Sequence, residues 1–506
     1  MRLSDEQALI DKQLDMVMCQ GADVQRRLVL EDRRLDVFCR IIGFEVTPFH
    51  MGLIKILDRA RRKGRWWRLW LAPRGFGKST VLTIADCMMQ AELDPNIRIM
   101  IGSRTKDQAA GILEGIKGRY KVDRYRELFG DKCERAPAWG ERRVTINTRQ
   151  VDYPEPTFYA AGADGAVASK HFDMIKADDL MDERNARTEG EREKIHTFVY
   201  KTMVPTLMIV RENGQPGEFD AIGTRYHPHD IYNHFETKDP NFKSAVFLCP
   251  ALIDPSTGQA DPQGISTCER FAPTEKLKNR RAAMGSAHFD SQMQQSTKRM
   301  QGDIFKEEYF RHYDDDPHEL VERLSLKVWS ACDLAIGEDT KGDEYADYVI
   351  GIDNEGRWPK IYLLDCFHGH VPYTRQIART AQIFAAWSPM RHGIEANAFQ
   401  KSRLGSVYRE LGPEIGDRCR PIMTHKDKVT RAWQLSAMYE NGRILHRRTL
   451  ESDLEDQLVE FPRGKYDDMM DALDLAIRLG TVVGARKRRR ERVGVIGPKR
   501  KARALI

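Results

Sequence analysis

The segment Ala72-Pro73-Arg74-Gly75-Phe76-Gly77-Lys78-Ser79-Thr80 sets two glycines, a lysine and two hydroxyls close together, between the apolar run Leu69-Trp70-Leu71 and a helical pattern from Val81 to Gln90. Strand, glycine-rich loop and helix in that order are what a phosphate-binding loop requires. Gly75 and Gly77 let backbone N–H groups curl around phosphate oxygens, and the start of the following helix adds its partial positive charge. Lys78 then serves the β- and γ-phosphates of ATP, and Ser79, with Thr80 beside it, offers a hydroxyl to Mg²⁺. Ala72 stands where the consensus begins with glycine.

Such a loop needs an acid at the end of a neighbouring strand to hold the magnesium, and a second acid to orient water. His171-Phe172-Asp173-Met174-Ile175-Lys176-Ala177-Asp178-Asp179 supplies both: Asp178 is assigned to the metal and Asp179 to the attacking water, with Glu183 as the alternative base. Lys176 breaks the otherwise apolar run. Farther on, Ala221-Ile222-Gly223-Thr224-Arg225 reads as a strand ending in a small-residue turn, and Thr224 there is placed to sense the γ-phosphate. Thr47-Pro48-Phe49-His50, ahead of the loop, either packs on the adenine or simply opens a helix.

A second chemistry is spelled by carboxylates. Asp333 ends the run Val328 to Cys332, Glu395 ends His392-Gly393-Ile394, and Tyr466-Asp467-Asp468-Met469-Met470-Asp471 opens a helix on which Asp468 and Asp471 share one face. Two-metal phosphodiester hydrolysis needs several carboxylates converging from separate elements on two Mg²⁺ or Mn²⁺ ions. A strand acid, a later strand acid and a helix-start acid are the arrangement of RNase H-like folds. Acids also favour helix N-termini for the dipole alone, which is the plain structural reading of Asp467 and Asp468.

These residues must be positioned by two α/β domains. From Trp66 short apolar runs alternate with helical patterns, as βαβ units in a mostly parallel sheet do. A second strand series begins at Leu326. Residues 251–320 are polar and broken by Pro255, Gly258, Pro262 and Gly264, so the reading is a helical segment over 1–45, a P-loop NTPase domain over 46–250, a linker or subdomain over 251–320, an α/β nuclease domain over 321–483 and a basic tail over 484–506.

The 506 residues exceed what one core usually organises. Hydrophobic residues reach 41% and charged ones 31%, which excludes membrane and low-complexity classes. No apolar run approaches a membrane span, and the N-terminus carries acids where a secretory signal would be basic, so a cytoplasmic protein without a membrane partner is expected. Nine scattered cysteines have no C-x-x-C pair and read as reduced core thiols. The net charge of +6 is concentrated: Arg486 to Arg503 holds ten Lys/Arg against one Glu, leaving the rest near −3. The tail is therefore expected to be mobile and to bind DNA phosphates or an acidic protein surface.

In this order, APRGFGKST, HFDMIKADDL, IGTRYHPHD, DLAIGEDTKGDEYADYVIGID and DDMMDAL make the chain resemble the large terminase subunits of tailed bacteriophages from about Phe49 to Leu479. The closing D-x-x-D-A-L also resembles RuvC-type resolvases, which implies Asp468 and Asp471 together as metal ligands beside Asp333 and Glu395. The resemblance implies an ATP-driven motor that moves double-stranded DNA into a procapsid and cuts concatemers. Its partners would be the portal protein and a small terminase subunit, its assembly a ring of five, and its location the host cytoplasm and, transiently, the portal vertex. It places Arg74 as a cis arginine of the loop, Lys170 where a trans arginine can lie, Asp347 as an acid of the second nuclease strand, and Lys428 and Arg431 as a basic helix start. An ATPase-linked RNase H-like recombinase, or a P-loop scaffold without catalysis, would use the same motifs.

Overall fold

The computed structural model describes residues 3–164, 170–301, 303–333, 345–356, 358–395, 410–424, 427–448, 452–463 and 467–494, apart from the side chains of residues 3, 4, 301, 452 and 482–494. The chain divides into two compact units: residues 1–281 with 286–301, and 282–285 with 302–506. The polar stretch after residue 250 thus splits, and its first part packs in the first unit. There Ala251, Leu252, Cys268, Leu277, Phe289 and Met293 bury the P-loop residue Phe76.

The first unit is built on β1 (Trp67–Leu71), β2 (Ile99–Ser103), β3 (Ala138–Trp139), β4 (Arg143–Thr145), β5 (Phe158–Gly162), β6 (Met174–Asp178), β7 (Glu218–Gly223) and β8 (Val246–Leu248). Their order is β3-β4-β5-β2-β6-β7-β1-β8. The pairs from β5 to β8 are parallel, and β3 and β4 add an antiparallel edge. A short hairpin of β9 (Leu252–Ile253) and β10 (Ile265–Ser266) follows. This is a P-loop NTPase sheet, with β7 inserted between the P-loop strand β1 and the acid-bearing strand β6.

Side-chain alternation divides each strand between two cores. Trp70, Ile99, Ile101, Met174 and Ile222 face the P-loop helix, while Leu69, Leu71, Met100, Ile175, Ala177, Phe219 and Ala221 face the other side. Period two therefore sends Lys176 toward the P-loop helix, where it meets a buried ion network. Lys176 Nζ donates to Asp86 at 2.6 Å and to Asp220 at 2.7 Å. Arg68 donates to Asp220 through Nε at 2.7 Å and also to Glu218, and Arg61 joins Asp86 at 2.7 Å to Glu218 at 2.9 Å. Burial opposes ionisation of Asp86 and Asp220, yet Arg61, Arg68 and Lys176 outweigh it and hold both acids well below the usual carboxylate range. Their stabilisation is accordingly complete at neutral pH and is lost only in strong acid.

Removing one partner from such a network leaves a buried charge uncompensated. Lys176→Met should lower the stability of this unit by about 3 kcal/mol. Denaturant melts followed by circular dichroism check this, and an unchanged midpoint would show that the network carries no net stability.

The second unit holds β11 (His312–Tyr313), β12 (Lys327–Asp333), β13 (Tyr345–Asp353), β14 (Lys360–Gly369), β15 (His392–Glu395), β16 (Cys419–Ile422) and β17 (Ile444–Arg447). Their order is β11-β17-β14-β13-β12-β15-β16. β14, β13 and β12 form an antiparallel meander, and β15 and β16 extend it in parallel. With a helix on each face this is an RNase H-like sheet. The closing helix runs Asp468–Gly494, beyond the domain end expected at residue 483 and into the basic segment. The tail's side chains, and its residues from 495 on, lie outside the described residues, as do Val167, Ala168, Ser169 and Tyr466. Among the described residues no helix is long and apolar enough to cross a membrane.

Candidate active sites

Gly75 and Gly77 adopt φ of 81° and 74°, the left-handed conformations that let the loop after β1 curl back on itself. A Cβ on Gly77 would lie 2.7 Å from His50 Nε2. His50 braces the loop: its Nδ1 accepts from the Thr47 N–H at 3.2 Å, and its Nε2–H donates to the Phe76 carbonyl at 2.8 Å. Burial depresses its pKa, so the neutral tautomer with one donor and one acceptor is the form present. Of the two expected uses of Thr47–His50, the structure shows the helix start: Thr47 caps the helix Pro48–Arg62 in a capping box. Gly77→Ala should weaken nucleotide binding about tenfold, because a methyl in left-handed backbone that also displaces His50 costs about 1–2 kcal/mol. Titration calorimetry with a non-hydrolysable nucleotide measures it, and unaltered affinity would mean that the loop tolerates the methyl.

Lys78, Ser79, Asp178, Asp179 and Thr224 come together above the ends of β1, β6 and β7. Lys78 Nζ donates to Thr224 Oγ1 at 2.8 Å and lies 3.1 Å from Asp179 Oδ1. Ser79 Oγ donates to Asp178 Oδ1 at 2.9 Å, and Thr83 Oγ1 donates to Asp178 Oδ2 at 2.5 Å. Thr83 lies outside the loop motif, but four residues after Ser79 it shares the same helix face. Burial, and then the neighbouring Asp179, push Asp178 up to about 6. A fully buried acid held against a second acid is a site whose charge a divalent cation relieves. Asp179 has φ of 49°, a strained conformation for a non-glycine residue that turns its carboxylate toward the loop lysine.

The remaining candidates take other places. Arg74 is exposed and its Nη1 donates to the Tyr226 hydroxyl at 3.1 Å. Thr80 begins a π-helical turn, Thr80–Ala85. Arg225 is pinned to Glu236 at 2.7 Å and Asp230 at 3.3 Å, so the turn after β7 is an ion-paired knot. Glu183 is exposed on the turn after Asp182, and Lys170 lies over the Tyr159 ring.

In the second unit, Cys332 of β12 pairs with Ile394 of β15, so Asp333 and Glu395 stand side by side at the ends of two parallel strands. Asp333 belongs to the strand face that carries Trp329 and Ala331, which the helix beginning at Asp468 covers. Burial, then a hydrogen bond and charge from Glu395, then Asp471 and Asp468, push Asp333 up to about 9. Burial and the neighbouring acids thus favour the protonated form of this carboxyl when no metal is bound. Asp333, Glu395 and Asp468, brought near one another from two strand ends and a helix start, form a donor set of hard oxygens suited to Mg²⁺ or Mn²⁺.

Two further acids have basic partners. Asp471, anticipated as a fourth ligand, accepts from Arg431 at 2.6 Å on one oxygen and from Lys428 at 2.7 Å on the other. Arg431 also reaches Asp474 at 3.2 Å, and Lys428 meets Asp467. Asp347 lies one residue along β13 from Ala346, the partner of Asp333, and therefore on the opposite face of the sheet. There Arg379 of the helix Tyr373–Trp387 grips it through Nε and Nη2, each at 3.0 Å, and burial raises it to about 6. Asp347 thus sits outside the carboxylate cluster.

No family model matches the sequence, and no curated protein matches it. Among solved structures, a large terminase from the thermophilic bacteriophage D6E aligns over 83% of this chain and 96% of its own, at 10% identity and a TM-score of 0.42. The chain is similar to large terminases. The chain is also similar to the Mn-bound large terminase nuclease domain of bacteriophage SPP1 (15% identity, 34% of this chain and 94% of that one, TM-score 0.25) and to Thermus thermophilus RuvC (17% identity, 29% and 90%, TM-score 0.19).

Proposed function

We propose that this chain is a terminase large subunit, which hydrolyses ATP to drive double-stranded DNA into a procapsid and cleaves concatemeric DNA by two-metal phosphodiester hydrolysis. The observation that supports it best is the pairing, in one chain, of the Lys78–Asp178–Asp179–Thr224 cluster with the Asp333–Glu395–Asp468 cluster in separate units. In this reading Ser79 and Asp178 hold Mg²⁺ at the ATPase site, and Asp333, Glu395 and Asp468 hold two Mg²⁺ or Mn²⁺ at the nuclease site. Bound divalent ions there supply Lewis acidity and lower the pKa of water.

The protein's own groups do the remainder. Lys78 leaves Asp179 for the β- and γ-phosphates, and Asp179, so released, orients the attacking water. Thr224, bonded to Lys78, carries the change in phosphate occupancy into the Arg225–Asp230–Glu236 knot. Lys428 and Arg431 hold Asp471, which steers the first turn of the last helix so that Asp468 faces Asp333; Asp471 thereby acts as a positioning residue. Arg74 stabilises charge on the transferring phosphoryl group. The partners proposed are double-stranded DNA, the portal protein, a small terminase subunit and four further copies in a ring, in the host cytoplasm.

The full-length protein should hydrolyse ATP, faster with double-stranded DNA, and should nick plasmid in Mg²⁺ or Mn²⁺, both activities stopping in EDTA. Cleavage that survives thorough chelation would exclude the carboxylate–metal mechanism. Strand joining in place of cleavage would point to a recombinase.

A further inference from the structure

β11 and β17 lie at the edge of the second sheet and run parallel, with His312 opposite His446. The helix Ser452–Glu460 brings Glu455 against both. Glu455 Oε1 is 2.7 Å from His312 Nε2 and 2.7 Å from His446 Nδ1, and the three ligand atoms lie within 4.8 Å of one another. The other nitrogen of His446, Nε2, is 2.8 Å from the Tyr439 hydroxyl. His446 is fully buried, whereas the His312 and Glu455 side chains are 28% and 23% exposed, so the cluster opens to solvent on one side.

We infer that His312, His446 and Glu455 form a zinc-binding site, distinct from the carboxylate cluster around Asp333. Two imidazoles and a carboxylate that converge from three elements are a donor set for Zn²⁺, and the open side leaves a fourth position for water. A tetrahedral ion at ordinary Zn–N and Zn–O distances holds its ligand atoms about 3.3 Å apart, so small rotations of His312 and Glu455 admit it. Without an ion, His446 Nδ1–H donates to Glu455 and Nε2 accepts from the Tyr439 hydroxyl. With an ion on Nδ1 the ring proton would sit on Nε2 and donate to the Tyr439 oxygen, the outer contact that metal-bound histidines use. β14 and β13 separate β17 from β12, which puts about 14 Å of sheet between this site and the strand of Asp333. The donor types differ as well: nitrogen with oxygen here selects zinc-class ions, and oxygen alone at Asp333 selects Mg²⁺ or Mn²⁺. Bound zinc would tie the strand at His312 to residues more than a hundred positions later, clamping the sheet edge to the helix that covers it.

The full-length protein, dialysed against Zn²⁺ and then passed into zinc-free buffer with excess Mg²⁺, should retain one equivalent of zinc. Replacement by Co²⁺ should give the intense visible absorption of a tetrahedral nitrogen–oxygen site, which six-coordinate Co²⁺ on carboxylates does not produce. His312→Ala, at the exposed end of the cluster, and the isosteric Glu455→Gln should each abolish retention and spectrum while keeping a native circular dichroism signal. Tyr439→Phe should weaken zinc affinity about 10–100-fold, and Asp468→Asn should leave zinc retention unchanged. Equal retention by the wild type and His312→Ala, or no tetrahedral spectrum from the wild type, would overturn the assignment and leave the three side chains as a hydrogen-bonded clip. Loss of the spectrum in Asp468→Asn would place the ion at the other cluster and overturn it equally.

Discussion

Lys78→Ala should lower ATP hydrolysis by about three orders of magnitude or more and leave Mn²⁺-dependent plasmid nicking at the wild-type rate. Removing one preorganised group from developing transition-state charge costs about 3–4 kcal/mol, and here the deletion also reaches two neighbours. Lys78 is buried and joins Thr224 to Asp179, so its loss frees the turn after β7 and leaves Asp179 facing Asp178 with no cation between them. Charge repulsion then works against the binding of a polyanion as well as against its hydrolysis. Steady-state phosphate release and supercoiled-plasmid nicking on one preparation separate the effects. Loss of both activities in a folded variant would show that the two units are catalytically interdependent.

Asp468→Asn and Asp333→Asn should each reduce plasmid cleavage about 10³-fold or more, the scale of losing a group that places transition-state charge, and spare ATP turnover. Asp333→Asn carries a second, opposite signature. The Asp333 carboxyl has an ordinary value of 3.8 and is raised to about 9 in the fold, so the folded state binds the extra proton. Stability of the metal-free protein must therefore fall as pH rises from about 4 toward 9. Asparagine removes that burden: the unit should melt about 2–4 °C higher near pH 8, equivalent to about 1 kcal/mol, with no gain below pH 4. Mn²⁺ should raise the wild-type melting temperature and not that of the variant. Thermal scans at three pH values, with and without Mn²⁺, test each part, and wild-type nicking by Asp333→Asn would refute the nuclease site.

Much of this arrangement was legible along the chain because each functional group occupies the end of a regular element. A strand, a glycine pair, a lysine and a hydroxyl at the head of a helix can form little else than a phosphate loop, and Asp178, Asp333 and Glu395 each follow an apolar run that had to become a buried strand. The order of the two units could be read the same way. Lys176, an apparent fault in its strand, was decided by tertiary packing. Ser79, Thr83 and Asp86 form one stripe of the P-loop helix, and Asp178 and Lys176 form one stripe of β6, so hydroxyls meet the upper acid and Asp86 meets the lysine. Either stripe is visible by its period, but their register, and the arrival of Arg68 and Asp220 from β1 and β7, exist only once the sheet has assembled.

The same division separates the acids of the second unit. Local sequence determined that Asp468 and Asp471 share a helix face and that Asp333 and Glu395 end strands. Which acids converge was settled by sheet pairing: Asp333 sits opposite Ala346, and the alternation of side chains then carries Asp347 through the sheet to Arg379. Lys428 and Arg431 reach Asp471 from about forty residues away, and His312, His446 and Glu455 meet across a still longer stretch of chain. Periodicity states which way a side chain leaves its own element, whereas the partner it finds depends on strand order and helix placement, and these are set by the burial of apolar faces far apart in sequence.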